Sequence, residues 1–364
     1  MGFSFEVGAE AAYNTLDSTV ELYELDEGGE RIRVNLSIDD AEVREKRGEV
    51  YVALGKSLSP SLRLDGGINY EVSSLSVRGD AQADRSLRFL KPNVAIDWKP
   101  VGDWHARLSI KRTVAQLNFY DFISFAELSN DRVTGGNAEL LPQRTWEVRA
   151  TIDRPILGDG LVKLDLGLDR VSKLQDQILT AEGLSAPGNL GTGRRRFARL
   201  TVDAPLSQLG LSGVTIKAYG QVQRTRVLDP ISESVRDFSG YFPRWEWEVE
   251  ARRDAGQFSY GFKVNDRARF SFFRADEIDM SFNGGAYGTA FIEYRPTPRT
   301  SVTLDVDNLF STTGNRERIF FSPNRSVPEH DEREFRERNR HLSFGLTFKQ
   351  TLGFGLGGGV ARQD

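Results

Sequence analysis

Apolar and polar residues alternate with a period of two over runs of about ten residues, and only long β-strands put such a pattern to use. Phe3, Phe5, Val7, Ala9, Ala11 and Tyr13 alternate with Ser4, Glu6, Gly8, Glu10 and Asn14. The same rhythm recurs at Leu62/Leu64, at Ile68/Tyr70/Val72 and at Val94/Ile96/Trp98. It returns at Trp104/Ala106/Leu108/Ile110, Trp146/Val148/Ala150/Ile152, Leu164/Leu166/Leu168, Val214/Ile216/Ala218 and Trp247/Val249/Ala251. Near the end it runs through Phe258/Tyr260/Phe262/Val264, Val302/Leu304/Val306 and Leu342/Phe344/Leu346/Phe348. No segment has the period of an amphipathic helix. The polar positions often carry full charges, as at Lys163 and Asp165 or Glu246, Glu248 and Glu250. A strand with one apolar and one charged face needs a nonpolar medium on one side and water on the other.

Strand length separates a membrane barrel from a soluble sandwich. A tilted membrane-spanning strand needs about 9–11 residues, whereas strands of globular proteins cluster near 5–6. Connection length supplies a second argument. Short turns are expected at residues 57–61, 99–103, 154–160, 204–212, 253–257 and 295–300. Longer polar loops are expected at 73–85, 114–143, 171–195, 226–243, 267–285 and 311–340. Short periplasmic turns alternating with long extracellular loops are the pattern of an outer-membrane barrel. The expectation is an all-β fold, an antiparallel transmembrane β-barrel of about 14–16 strands over residues 1–350, with a Gly-rich tail at 351–364. Trp98, Trp104 and Tyr294 fall beside short turns, where a membrane-interface aromatic girdle belongs.

Composition agrees once the lumen is considered. The 364 residues are 39% hydrophobic and 27% charged, and the mean hydropathy is -0.43. A barrel needs only every second strand residue to be apolar, so this polarity does not count against it. There is no basic and apolar leader at the start, so the leader of an exported protein is expected to have been removed or to lie in a longer polypeptide. Cysteine is absent, which removes disulfides and thiol chemistry. A net charge of -4 is too small to imply a nucleic-acid partner. A soluble β-propeller or sandwich used for binding is the rival architecture, since propeller blades repeat every 40–50 residues or so. Each interval here holds two long strands, not four short ones.

Chemistry-bearing clusters are few. His105, His330 and His341 lack metal-ligand spacing, and His105 reads as a solvated residue on the lumenal face. Asp305 and Asp307 share one strand face, which a lumen explains without an ion. The GFGLGGG run near residue 355 lacks the Lys-Ser/Thr pair of a phosphate loop. No G-x-S-x-G nucleophile elbow occurs. The expectation is a protein that is not an enzyme, with no catalytic residues, metal or cofactor.

Several segments resemble TonB-dependent outer-membrane receptors of proteobacteria. The run from Phe89 to Pro100 (FLKPNVAIDWKP) resembles their mid-barrel. GNAELLPQRTWEVRA is similar to their GN-x-x-L-x-P-x-x-x-W element, with Gly136, Asn137, Leu140, Pro142 and Trp146. SVTLDVDNLF resembles the penultimate strand with its V-x-N-L-F ending, here Val306, Asn308, Leu309 and Phe310, and RERNRHLSFGLTFKQTLG resembles the final one. GAEAAYNTLDS and EKRGEVYVALGKSLSPSLRLDGGINYE resemble earlier strands, so the resemblance covers nearly the whole chain in order. It implies a plugged barrel of roughly 22 strands, of which this chain corresponds to the C-terminal two-thirds without the plug. Final strands of the family end at the last aromatic residue, whereas here Phe348 is followed by residues 349–364.

The implied function is energy-coupled uptake of a scarce nutrient (a chelated metal, a cofactor or an oligosaccharide) across a Gram-negative outer membrane. The implied partners are outer-membrane lipid, the small-molecule or oligosaccharide substrate, a plug domain and a TonB-type energy-coupling protein, around a monomeric barrel. A passive porin-like channel is the alternative, since a plugless barrel conducts. Candidate ligand-binding residues in the extracellular loops are Phe119, Tyr120 and Phe122, the run Arg194, Arg195 and Arg196, and Tyr241 with Phe242. Loop-against-loop packing is the competing reading of the aromatics, and a solvated rim that of the arginines. The many charges of 311–340 are read as an ion-pair network stiffening a loop.

Overall fold

A computed structural model describes residues 2–352, apart from residues 35, 37, 128–131 and 182. Most of the expected Gly-rich tail, residues 353–364, lies outside the described residues. Among the described residues fourteen strands form one continuous wall: β1 (Phe3–Thr19), β2 (Asp40–Ser59), β3 (Leu62–Gly79), β4 (Ala83–Trp98), β5 (His105–Val114), β6 (Arg144–Ile156) and β7 (Gly160–Ser172). It continues through β8 (Thr192–Pro205), β9 (Val214–Leu228), β10 (Trp245–Ala255), β11 (Phe258–Arg267), β12 (Tyr287–Thr297), β13 (Thr300–Asp307) and β14 (Ser343–Gln350). Each pairs antiparallel with the next, and β1 and β14 each have one neighbour in the sheet.

The two faces differ as the alternation requires. One face exposes its apolar residues, among them Phe5, Val52, Ile68, Leu168 and Phe262, and Leu346 is 75% exposed. So large an apolar surface cannot face water; it is the membrane face. On β2 its apolar stretch (Gly48, Val50, Val52, Leu54) lies between Lys46 and Lys56. Ten residues at about 3.3 Å each and a tilt near 40° span roughly 25 Å, the height of a barrel's apolar band. The other face carries paired charges. Lys91 reaches Glu49 at 2.5 Å and Glu71 at 2.8 Å, and Lys263 meets Glu248 at 2.9 Å. His105 is not merely solvated: it sits between Asp153 (Nδ1, 2.9 Å) and Asp97 (Nε2, 3.1 Å). This is the inner face.

Six short turns gather at one end, at residues 60–61, 99–104, 157–159, 206–213, 256–257 and 298–299. Trp98, Trp104 and Tyr294 all lie at that end and are partly exposed, with Tyr294 stacked on Phe258 at 4.9 Å. The other end carries the long connections, with one correction to the sequence reading. Residues 73–85 are not a loop, because β3 runs to Gly79, β4 starts at Ala83, and Val77 pairs with Ala83. The misreading has a physical cause. Ile68, Tyr70 and Val72 point outward, but beyond them Leu75 and Val77 are buried on the inner side. The apolar phase switches faces where the strand leaves the membrane band, and a single-phase pattern ends there only because its partner has changed from lipid to protein.

That partner is the 115–143 segment. Phe122 and Leu140, both fully buried, pack on Val43, Leu75 and Val77. Ser124 Oγ accepts from the Ile38 and Gly136 amides at 3.0 and 3.1 Å. Arg85 donates to the carbonyls of Leu140 and Ala138 at 2.6 and 2.5 Å. Gly136 lies so close to this strap that a Cβ there would come within 2.5 Å of the Phe122 carbonyl oxygen. A second cluster joins Val171, Leu174, Leu190, Val227 and Phe238. Among the described residues loop strands form three small sheets: the first from Gln175–Leu179, Ser185–Asn189, Arg132–Thr134 and Phe125–Glu127, the second from Phe270–Phe273, Glu277–Asn283, Thr313–Phe320 and Glu332–Asn339, and the third a hairpin of Leu22–Leu25 with Arg31–Val34. The second is laced by Arg316–Asp279 (2.7 Å), Arg318–Glu277 (2.6 Å) and Arg318–Glu334 (3.0 Å).

The motif residues serve these connections. Asn308 is fully buried at φ +54°, a left-handed conformation that Asn tolerates better than most residues. Its Oδ1 accepts from the Thr312 amide at 2.8 Å, while its Nδ2 donates to the Thr312 carbonyl at 3.0 Å and to the Arg340 carbonyl. It thus ties the first and last residues of the 308–342 loop together. Asn308→Ala is expected to cost about 1–3 kcal/mol, from orphaned buried groups and left-handed strain. The check is hydrogen exchange: the 308–342 amides should exchange faster while those of β6–β9 stay protected.

Candidate functional site

The inner face of β6 to β10, beneath the loop end, stacks arginines on aromatic rings. Registry brings Glu147, Asp169, Arg195 and Thr225 into one row, and Arg149, Gly167, Phe197 and Gln223 into the next. Gly167 matters here, because the Phe197 ring lies across it where any Cβ would overlap the ring. The Arg149 guanidinium sits 5.1 Å from the Phe197 centroid and Arg195 sits 4.6 Å from it. Arg195 also lies 5.6 Å from Phe242. Its Nε donates to Gln223 Oε1 at 3.0 Å, and Arg149 pairs with Asp169 at 2.6 Å. Two cations therefore share one buried carboxylate and one ring.

The pattern repeats nearby. Arg199 lies 4.3 Å from Tyr219, and Arg267 lies 4.6 Å from Phe270 and 5.6 Å from Tyr241. The Tyr241 hydroxyl donates to Glu246 at 2.9 Å. Burial, and then the Glu246 carboxylate, push its pKa up to about 12. Tyr241 is therefore a neutral hydrogen-bond donor across the physiological range, not a phenolate. Arg–aromatic stacks held in this way present flat, positively charged platforms, which suit planar or anionic ligands.

The residues singled out in the sequence separate into two groups. Arg195 meets Phe242 at the inner wall, and Tyr241 joins the neighbouring group of Glu246, Arg267 and Phe270. Tyr120 is exposed, but Phe122 is a core residue of the strap and Phe119 packs beside it, ring centroids 6.2 Å apart. The Phe122 ring is fully buried, whereas Phe119 is partly exposed. Arg194, Arg195 and Arg196 are not in a loop; they belong to β8, whose alternation sends Arg195 inward and its two neighbours outward. Arg149, Phe197, Asp169, Arg267 and Phe270 were missed. The signal was present for three of them, since strand parity puts Arg149, Asp169 and Phe197 on the inward phase with Arg195. Among the described residues no cluster of acidic and histidine side chains could hold a metal ion.

Comparison with known proteins places these features. Residues 1–309 match the family model described as TonB dependent receptor-like, beta-barrel. In structure the chain is similar to the ferric-catecholate import receptor Fiu of E. coli, with a TM-score of 0.64, 12% identity, and coverage of 96% of this chain and 52% of that one. It is similar to the copper transporter OprC (TM-score 0.63, 14% identity, 85% and 48% coverage). It is also similar to the ferric yersiniabactin uptake receptor FyuA of Yersinia pestis (TM-score 0.57, 13% identity, 86% and 46% coverage). The chain spans about half the length of these structures. No curated protein sequence matches it.

Proposed function

Because the chain belongs to the TonB-dependent receptor-like β-barrel family, we propose that it forms the barrel wall of an outer-membrane receptor for energy-coupled uptake of an anionic metal chelate with flat aromatic or carboxylate arms. The observation that carries this is the Arg149–Phe197–Arg195–Phe242 stack on the inner wall. Flat aromatic or carboxylate arms of a chelate would lie against such platforms, and the guanidinium groups would meet their charge. The similar structures, a ferric-catecholate import receptor, a copper transporter and a ferric yersiniabactin uptake receptor, favour a chelated metal over an oligosaccharide. The protein's role is transport, not catalysis. A plug domain and a TonB-type coupling protein complete the receptor. Trp98, Trp104 and Tyr294 anchor the wall at the periplasmic membrane interface, where amphipathic rings are favoured.

Binding of a radiolabelled ferric tricatecholate to cells displaying the receptor tests this reading. Arg195→Ala removes two ring contacts and the bond to Gln223, so affinity should fall about tenfold, and Arg195→Lys should recover part of it. Unchanged affinity in Arg195→Ala would remove the stack as the ligand platform. A steady ungated current in a planar bilayer would instead favour the passive channel.

A further inference from the structure

Arginines gather on the outward side of the wall at the loop end of β5 to β9. Registry aligns Arg112, Trp146, Arg170, Arg194 and Arg226 in one outward row. One row nearer the membrane centre, Val148 and Leu168 are followed by Arg196 and Arg224. Arg170, Arg194, Arg196, Arg224 and Arg226 line a shared recess of about 400 Å³ with Trp146. All five are exposed. Like charges on directly paired residues of neighbouring strands repel. Among the described residues none of the five pairs with a carboxylate; Asp169 at the recess floor is bound to Arg149 on the inner side. The strands thus hold an uncompensated cationic cluster at the edge of hydrocarbon, where a charge is costly unless it meets a partner.

A second feature adjoins it. Directly toward the membrane centre runs a furrow of about 590 Å³ whose outward wall includes Val148, Ala150, Leu166, Leu168, Ala198 and Val222. Ala150 and Ala198 flank Leu166 in the registered row, and their small side chains make the depression. A cationic recess above an apolar furrow has the shape and polarity of an anionic amphiphile.

We propose that this patch binds a phosphate-bearing lipid of the outer leaflet, with phosphates among Arg170, Arg194, Arg196, Arg224 and Arg226 and an acyl chain in the furrow. Guanidinium forks match phosphate oxygens in pairs, and basic pockets at membrane depth recognise such headgroups. The inference needs the outer face to be lipid-facing; it does not depend on the ligand proposed for the inner wall.

Native mass spectrometry of the protein in zwitterionic detergent tests it, with cardiolipin, phosphatidylcholine and inorganic phosphate as probes. The wild type should retain cardiolipin over phosphatidylcholine. The triple variant R194Q/R196Q/R224Q should lose roughly 100-fold in cardiolipin affinity, whereas Lys217→Gln, on the inner face of β9, should lose none. Equal retention by the triple variant overturns the proposal, as does equal affinity for phosphatidylcholine. Displacement of cardiolipin by equimolar inorganic phosphate would assign the patch to a free anion and overturn the lipid source. Should the triple variant fail to fold, the wild type decides by itself: its preference for cardiolipin must weaken as salt rises, and a salt-independent preference overturns the electrostatic basis. A wild-type protein that does not enter phosphatidylcholine vesicles would contradict the barrel reading instead.

Discussion

Replacing Asp229 with alanine is expected to unlock the long loops while leaving the wall intact. Asp229 is fully buried. Its carboxylate accepts from Arg236 Nε at 2.6 Å, Arg325 Nη1 at 2.5 Å and the Ile231 amide at 2.9 Å. Arg236 continues to Asp176 at 2.9 Å, and its guanidinium lies 4.3 Å from the Phe273 ring. One carboxylate thus joins three connections, those at 173–191, 229–244 and 308–342. Its loss leaves two buried arginines short of countercharge, which costs about 3–5 kcal/mol when a buried pair is broken from one side. Limited proteolysis and hydrogen exchange should show 175–189 and 322–327 opening together. Pairing Asp229→Ala with Arg325→Met should cost less than the sum of the two changes, because the second removes the charge stranded by the first. Strict additivity would show that the arginine is not held by this carboxylate.

The same residue sets a pH dependence. Burial pushes the Asp229 carboxyl up, but the hydrogen bonds from Arg325 and from the Ile231 amide outweigh it, and the net position is below the usual carboxylate range. A carboxyl whose folded pKa lies below its unfolded value, about 3.9, stabilises the fold at every pH above that value. The contribution declines only as pH falls from there through the folded pKa. Loop protection should therefore be flat from neutral pH to about 5 and fall below about 4. Loss of protection between pH 7 and 5 would point to a different group.

Phe122→Ala carries the other large expected effect. The ring is fully buried among Val43, Leu75, Val77 and Leu140, and truncating a phenylalanine in such a place costs about 3–5 kcal/mol in lost transfer energy and residual cavity. The strap it anchors crosses the inner side of β2 and β3, so the change should expose the amides of 119–124 and 136–142 and free the Arg85 guanidinium from its two carbonyls. Phe122→Leu, which keeps an apolar side chain of similar volume, should cost under about 1.5 kcal/mol. Hydrogen exchange of the strap distinguishes the two. Equal protection in wild type and Phe122→Ala would mean that the strap is held by its polar bonds alone, through Ser124, Gly136 and Arg85.

Much of this architecture was legible in the sequence, and the reason is visible in single strands. On β7 the outward Leu164, Leu166 and Leu168 alternate with inward Lys163, Asp165 and Asp169, and nothing but lipid on one side and water on the other favours that pattern over so long a run. The site was less legible. Phe119 and Phe122 resemble a ligand-facing aromatic pair, yet they are consumed in anchoring a strap, because the inner ends of β2 and β3 offer apolar Val43, Leu75 and Val77 to cover. Arg194, Arg195 and Arg196 read as one basic run, yet β geometry divides them between the inner wall and the membrane face. Gly136, Leu140 and Asn308, conspicuous as motif residues, hold loops together rather than touching the candidate platform.

The residue order alone carries the period, and with it the all-β class, the number of wall strands to within one or two, and the end of the wall that bears the long loops. Those follow from local rules: alternation is set by backbone pleating, and turns by short-range chemistry. Only the tertiary structure decided what each inward or outward residue meets. Registry between strands far apart in the chain put Arg149 and Arg195 on one ring, set five outward arginines side by side, and brought Arg325 to Asp229. Such juxtapositions depend on which residues stand opposite one another across the ladder, and no residue type announces that on its own.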